Sequence, residues 1–330
     1  MGSARTIFFG SGSFALPALA ALPGPGPAAG AVAHVVAVVT APARPAGRHG
    51  LPRATPVAEA AQARAVPVLT PATLRDEEAR EALRSRQPEL IVLADYGRLI
   101  PHAVLAMPRH GALNLHPSLL PRHRGASPIA AAIMAADSHT GVTLMHMDEG
   151  LDSGPILAQR ELALDGSELA PDLEARLARL AADLLVETLP AWLDGSLRER
   201  AQPLSGATLT RPLRRADGRL DPRLGAAELE RQVRAYQPWP GSFIHFAPEN
   251  ADPGRSAGDR LIVWRATAIP GQTAPPATAG AVVRGEIIAE GDTVALRTTD
   301  GLLRLDEVQP PGGRRMSGAE YRRGRGRRGE

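Results

Sequence analysis

NLHPSLLPRHRGASPI, residues 114–129, is the stretch from which the fold and a site can be inferred. The apolar run that leads into it is typical of the end of a buried strand, and a helix is expected after Pro128. Side chains alternate along a strand, so Asn114 and His116 project from the same face. Because open α/β sheets bind ligands at the carboxyl ends of their strands, we predict a functional site at this turn.

An acidic loop with the sequence MDEGLDSG, residues 147–154, follows a second predicted strand. A carboxylate in this loop could reach the imidazole of His116, orient the ring and hold a water molecule. An Asn-x-His pair by itself is more often structural than catalytic. The pair together with this loop therefore favours the catalytic interpretation.

Residues 114–129 and the run HTGVTLMHMDEGLDSGPIL, residues 139–157, closely resemble the folate-dependent formyltransferases. The resemblance extends nearly from end to end of the chain. It implies that 10-formyltetrahydrofolate is the formyl donor and that the catalytic residues are Asn114, His116 and Asp152. It also implies that folate contacts the segment formed by Ser118, Leu119, Leu120 and Pro121.

The resemblance and the chemistry of formyl transfer to an amine give each catalytic residue an expected role. Asn114 donates a hydrogen bond to the oxyanion that develops on the formyl group, and His116 stabilises the same oxyanion as an imidazolium or carries a proton. Asp152 raises the basicity of His116 and positions a water for proton transfer. No covalent enzyme intermediate is needed, in agreement with the absence of cysteine.

The amine acceptor is expected to be the methionine of initiator methionyl-tRNA. The resemblance implies three possible acceptors for this site: methionyl-tRNA, glycinamide ribonucleotide or an amino sugar. A basic loop alone is more often an ordinary solvated loop, but the loop at residues 41–53 resembles the one with which family members hold tRNA, which implies Arg44 and Arg48 as tRNA-binding residues. An added C-terminal domain and a basic tail also favour tRNA. A non-catalytic RNA-binding protein is the alternative, and the presence of all three catalytic residues argues against it.

Two turns that follow predicted strands indicate which ligand the first domain binds, a dinucleotide or a folate. Residues 10–15, GSGSFA, match the dinucleotide-binding pattern, which requires an acidic residue about 20 positions later. Residues 30–40 contain no acid, so we do not predict a nicotinamide cofactor. Residues 95–97 resemble the family turn that lines the pteridine pocket, with Asp95 where a small apolar residue is usual.

The predicted fold class is α/β, with a Rossmann-like open parallel sheet followed by a small OB-like β-barrel. We predict a catalytic domain at residues 1–197, a linker at 198–212 and the barrel at 213–330. Strands are expected at 6–9, 32–40, 66–69 and 90–94, and helices at 56–63 and 74–84. The loop at 41–53 is too rich in proline and glycine for regular structure to be expected.

Composition narrows the remaining possibilities. The chain has no cysteine and no apolar run near the ~18 residues of a membrane span, in agreement with a cytoplasmic protein. We also expect a monomer. Six of the nine histidines lie between residues 102 and 146, but no His-x-x-x-His pair with a glutamate occurs, and no metal site is predicted. Every basic residue other than histidine is arginine, and genomic base composition explains most of them, so only clusters count as evidence.

Overall fold

The computed structural model describes residues 3–26, 30–46, 51–203, 205–245, 260–271 and 286–326. The chain forms two compact units. The first contains Met1–Pro128, Ser138–Leu164 and Asp172–Arg211, and the second contains Ile129–Asp137, Asp165–Pro171 and Pro212–Glu330. Within the described ranges, none of the helices is both long and apolar enough to cross a membrane.

The strands are β1 (Ala4–Gly10), β2 (Ala33–Val39), β3 (Arg44–Ala46), β4 (Leu51–Arg53), β5 (Val68–Leu69), β6 (Leu90–Ala94), β7 (Ala112–His116), β8 (Arg124–Gly125), β9 (His139–His146), β10 (Ile156–Ala163), β11 (Leu209–Thr210), β12 (Ser242–His245), β13 (Arg260–Pro270), β14 (Ile287–Glu290), β15 (Thr293–Arg297), β16 (Gly301–Gln309) and β17 (Met316–Ser317). The α-helices are α1 (Leu16–Ala21), α2 (Pro56–Ala63), α3 (Glu77–Arg84), α4 (His102–Leu105), α5 (Pro128–Met134), α6 (Ala170–Leu193), α7 (Ala226–Ala235) and α8 (Gly318–Gly326). Two 3₁₀ turns lie at Ser13–Ala15 and Arg215–Gly218.

A seven-stranded sheet in the order β10-β9-β7-β6-β1-β2-β5 forms the centre of the first unit. The five strands from β7 to β5 run parallel, and β9 and β10 extend one edge in antiparallel pairing. Parallel strands covered on both faces are nearly continuous apolar runs, and every residue of β6 is buried. The predicted Rossmann-like α/β class is confirmed.

The second unit is built on an antiparallel sheet in the order β12-β13-β16-β15-β14, with β17 paired to β16. One face of this sheet packs against α7 around a core that includes Leu229, Leu261 and Leu303. The predicted small domain of short strands is confirmed as an antiparallel β domain.

The arginine-rich segment differs from its sequence prediction. β3 and β4 form an antiparallel hairpin in which Arg44 pairs with Arg53 and Pro45 pairs with Pro52. Alternate positions of an antiparallel pair exchange no hydrogen bonds, so two prolines can face each other at such a position although neither has an N–H. The prediction of an irregular loop was wrong for these strands.

Residues 198–212, predicted as a linker, are paired with the first unit as far as Arg211. Arg200 exchanges two backbone hydrogen bonds with Ile156, at 2.7 and 2.9 Å. Further along, β11 runs parallel to β8. The segment therefore contributes structure beside the loop that follows β7.

Candidate active site

β7 carries Asn114 and His116 on one face, where they are only 6% and 4% exposed. Buried polar side chains require hydrogen-bonding partners, and the loop after β9 supplies one to both. Nδ2 of Asn114 lies 3.3 Å from Oδ1 of Asp152, and Nδ1 of His116 lies 3.7 Å from Oδ2 of the same carboxylate. The structure thus brings the three predicted catalytic residues together.

Asp152 is held in an uncommon backbone conformation. Its φ angle is +49°, in the left-handed region that aspartate tolerates better than most residues. Its Oδ2 atom accepts a hydrogen bond of 2.8 Å from the backbone N–H of Gly125. Each carboxylate oxygen therefore has its own donor, Asn114 for Oδ1 and Gly125 for Oδ2, and Oδ2 also faces the imidazole.

Gly125 can fill this role only as a glycine. Its φ angle is +101°, and a Cβ atom there would lie 2.2 Å from the carbonyl oxygen of Thr210 in the neighbouring strand β11. Any side chain would push β8 and β11 apart. The N–H that holds Asp152 would then move with β8.

The two ring nitrogens of His116 have different partners. Nε2 lies 2.9 Å from the carbonyl oxygen of His123, which can only accept, so Nε2 carries a proton. Nδ1 faces Asp152. Burial lowers the pKa of His116, and the charge of Asp152 opposes this shift. Burial thus favours the neutral imidazole, while Asp152, 3.7 Å from Nδ1, favours the imidazolium that the sequence analysis also considered.

The segment from Ser118 to Pro121 is fixed from within by Thr143. The hydroxyl of Thr143 donates to the carbonyl of Ser118 at 2.7 Å and accepts from the backbone N–H of Leu120 at 3.0 Å. Ser118 and Leu120 are buried, while Leu119 and Pro121 are partly exposed. Leu119 and Pro121 are therefore the more accessible side chains of this segment.

Two functional residues escaped the sequence analysis because they lie in the predicted linker. The amide of Gln202 donates to the carbonyl oxygens of Asp152 and Gly154, at 2.8 and 2.7 Å. Its oxygen accepts from the guanidinium of Arg124, with the shorter bond at 2.7 Å. The hydroxyl of Thr208 accepts from the backbone N–H of His123 at 2.8 Å. No local pattern marks either residue, since their partners are distant in the sequence.

The two predicted tRNA-binding arginines differ in what the structure shows. Arg44 is exposed on β3 and, within the described residues, has no carboxylate partner. Its cross-strand neighbour Arg53 lies 4.0 Å from Glu59. Arg48 lies outside the described residues. Among the described residues, no contact joins Arg44 to the catalytic residues.

Asp95 follows β6 at the same edge of the sheet as the catalytic residues, with a φ angle of +48°. A Cβ on Gly12 would lie 1.8 Å from its Oδ2 atom, so the carboxylate occupies room that glycine leaves. Although Asp95 is exposed, the protein atoms around its carboxylate exclude water and raise its pKa to about 6. The negative charge of Glu174 adds to this shift.

The histidine-rich region forms separate pairs rather than a cluster. His146 lies 3.0 Å from Glu199, and His139 lies 3.8 Å from Glu161. In the part of the chain that the structure describes, no group of three or more histidine, aspartate or glutamate side chains could hold a metal ion. The expectation that no metal is needed stays a prediction.

Comparison with known proteins extends over both units. The sequence pattern described as formyl transferase matches residues 4–189, and that of the formyl transferase C-terminal domain matches residues 212–326. Methionyl-tRNA formyltransferase of Myxococcus xanthus is 41% identical over 325 residues, which cover 98% of this chain and 96% of that protein. Methionyl-tRNA formyltransferase of Chloroflexus aggregans is 43% identical over 317 residues, covering 96% of each.

A solved structure shares the fold at low identity. HypX from Aquifex aeolicus in complex with tetrahydrofolic acid matches with a TM-score of 0.59 and 16% identity. The match covers 97% of this chain and 47% of HypX. At this identity the similarity concerns the fold alone.

Proposed function

The chain belongs to the formyl transferase family, and because its relatives over both units are methionyl-tRNA formyltransferases, we propose that it formylates the amino group of methionine on initiator tRNA. It is a formyltransferase enzyme with a folate co-substrate, and the donor we propose is 10-formyltetrahydrofolate. The observation that carries the site assignment is the contact of one carboxylate, Asp152, with both Asn114 and His116. We further propose that it acts in the cytoplasm as a monomer.

Asn114 is the proposed oxyanion donor. A side-chain amide has two N–H groups, and among the described residues only one of them has a partner, Asp152. The second N–H can donate to the formyl oxygen as the methionine amine attacks and charge develops on that oxygen. A donor fixed in advance in a buried site stabilises this charge without reorganisation during the reaction.

His116 and Asp152 are the proposed proton carriers. The attacking amine must lose a proton, and the folate nitrogen must gain one as its bond to the formyl carbon breaks. The neutral imidazole has its Nε2 proton engaged with His123, so Nδ1 is the atom that can accept a proton. Asp152 stabilises the resulting cation and can position a water beside the imidazole for proton transfer.

The folate site is proposed to include Ser118, Leu119, Leu120 and Pro121. The segment follows His116 directly, and its hydrogen bonds to Thr143 hold it in place before any ligand binds. A preformed wall of this kind reduces the entropy lost when a ligand is ordered.

The hairpin β3–β4 is proposed to bind tRNA phosphates through Arg44 and Arg48. Like charges directly opposite each other on paired strands are destabilising, and Arg44 stands opposite Arg53. A phosphate between the two guanidinium groups would offset this repulsion, since arginine binds phosphate oxygens in a bidentate manner.

Small amines as acceptors and a non-catalytic RNA-binding role are not favoured. Identity of 41–43% with methionyl-tRNA formyltransferases spans nearly the whole chain. A formylation assay with labelled 10-formyltetrahydrofolate tests the choice, with methionyl initiator tRNA, glycinamide ribonucleotide and an amino-sugar nucleotide offered in parallel. We expect transfer to the tRNA alone. Transfer to a small amine, or tRNA binding without transfer, would overturn the proposal.

A further inference from the structure

The antiparallel sheet of the second unit has two faces of different character. One face contributes Leu261 and Val263 to the core. On the other, Phe243, Ile262 and Gln309 stand side by side on three adjacent strands, because Ile262 pairs with both of the others. A face turned away from the core is expected to be polar, but Phe243 is only 6% exposed and Ile262 is partly exposed, so apolar side chains are half covered on this face.

A cavity of about 300 Å³ opens on this second face. Its apolar lining includes Trp239, Phe243, Ile262 and Trp264, and its basic lining is Arg215 and Arg260. Trp239 belongs to the turn that follows α7 and is 56% exposed. The cavity is therefore bounded by aromatic rings, one of which is largely open to solvent.

Trp264 is fixed in position before any ligand arrives. Its indole N–H donates to the side-chain oxygen of Gln309 at 3.1 Å, and its backbone carbonyl accepts from Gln237 at 2.7 Å. The guanidinium carbon of Arg315 lies 3.4 Å from the centre of the Trp264 ring system. Arg315 thus covers one face of this ring, and the hydrogen bonds fix the position of the indole at the wall of the cavity.

The cavity is also positively charged. The guanidinium carbon of Arg260 lies 4.8 Å from the centre of the Phe243 ring, and its buried Nε has no hydrogen-bond partner in the described structure. Arg215 is exposed. None of the residues that line the cavity is acidic. Arg215 and Arg260 therefore favour an anionic ligand in this cavity.

We propose that this cavity binds one unstacked nucleobase of an RNA, together with its phosphate. The inference rests on the proposed function, because tRNA is the RNA that the enzyme would meet. Aromatic rings provide a surface on which a base stacks, and guanidinium groups bind the adjoining phosphate. Proline-rich peptides also dock on aromatic grooves, but they bring no phosphate to Arg215 and Arg260, so the charge favours the nucleotide.

Binding of a short single-stranded RNA to the full-length protein tests the proposal, with tryptophan fluorescence and anisotropy as readouts. We expect Trp239→Ala to weaken binding about tenfold, since loss of one base–aromatic stack has roughly this effect. Trp239→Phe should retain most of the affinity. Arg260→Gln should weaken binding and reduce its salt dependence. Val186→Ala, at a 47% exposed apolar side chain on α6, is the matched control and should bind like the parent.

Thermal unfolding of each variant separates loss of binding from loss of folding, and Arg260→Gln carries the test if Trp239→Ala does not fold. Equal affinity of the parent, Trp239→Ala and Arg260→Gln would overturn the proposal. Fluorescence quenching by a proline-rich peptide but not by RNA would also overturn it. The formylation assay distinguishes the two failures, because a parent enzyme that formylates methionyl-tRNA with no effect of Trp239→Ala on the KM for tRNA refutes only the cavity.

Discussion

The side-chain amide of Gln202 donates to the backbone carbonyl of Asp152 at 2.8 Å. A residue of the segment after α6 therefore holds the loop that carries the proposed catalytic carboxylate. The same amide group bonds to Gly154 and to Arg124, so it ties the loop after β9 to the loop after β7.

Gln202→Leu should lower kcat by about 10- to 100-fold, because displacement of a reacting group by about 1 Å has effects of this size. The KM for tRNA should change little, since Gln202 makes its contacts within the protein. Steady-state kinetics with both substrates varied will test this split. Gln62→Leu, at an exposed position of α2, is the control and should retain parental kinetics. A Gln202→Leu enzyme with parental kcat would refute the positioning role.

Asn114→Ala should reduce kcat by about 100-fold or more, the usual effect of losing one oxyanion donor. Folate affinity should remain near the parental value, because the amide acts on charge that develops only during the reaction. Single-turnover kinetics and equilibrium binding of a folate analogue measure the two quantities separately. Weakened folate binding with unchanged turnover would contradict the assignment.

Asp152→Asn should shift the acid limb of the pH–rate profile to lower pH and reduce the maximal rate. The Asp152 carboxylate raises the pKa of His116 against the effect of burial, so its removal lets this pKa fall further.

The lowered pKa of His116 also affects the stability of the parent, because His116 binds its proton less readily in the folded chain than in the unfolded chain. Stability of the parent should therefore decrease as the pH falls below the unfolded pKa of about 6.5. NMR titration of the His116 ring checks the direction, and an upward shift in Asp152→Asn would refute this account.

Asp95→Asn should stabilise the protein more at pH 8 than at pH 4. The folded pKa of Asp95 is about 6, above the 3.8 of a free aspartate, so folding favours the protonated carboxyl and stability is lost as the pH rises between these values. Thermal unfolding at the two pH values measures the effect. Asp194→Asn is a control of opposite sign, because hydrogen bonds from Ser196 lower the pKa of Asp194. Equal changes at both pH values would contradict the prediction for Asp95.

Arg44→Gln should raise the KM for methionyl-tRNA with little change in kcat. Loss of one phosphate contact should reduce the salt dependence of binding by about one counterion. Titrations at several salt concentrations will show the slope. Arg75→Gln, another exposed arginine of the first unit, is the control and should leave the slope unchanged. An unchanged slope in Arg44→Gln would exclude a phosphate contact there.

The sequence was sufficient for the parts of the fold that depend on local pattern. Apolar runs predicted the parallel strands, and β6 agrees with its predicted range at both ends. The β3–β4 hairpin was missed because Pro45 and Pro52 suggest irregular structure when each is read alone. Only the register, which places them opposite each other, shows that neither proline removes a needed hydrogen bond.

Some residues of the candidate site could be predicted from the sequence and others could not. Asn114, His116 and Asp152 lie in motifs that can be read directly, and the structure places them in contact. The residues that hold them, Gly125 and Gln202, act through backbone groups far along the chain. Backbone contacts of this kind leave no periodicity or spacing by which a sequence could reveal them.

The pairing of Arg44 with Arg53 makes the hairpin of the free enzyme sensitive to salt. Added salt screens the repulsion between Arg44 and Arg53 and so stabilises the paired strands when no RNA is present. The same salt weakens the attraction of that hairpin for a phosphate. Both effects favour the unbound state, so the salt slope of the parent contains an intramolecular contribution in addition to the counterions released from RNA. Counting phosphate contacts from that slope alone would therefore give too large a number.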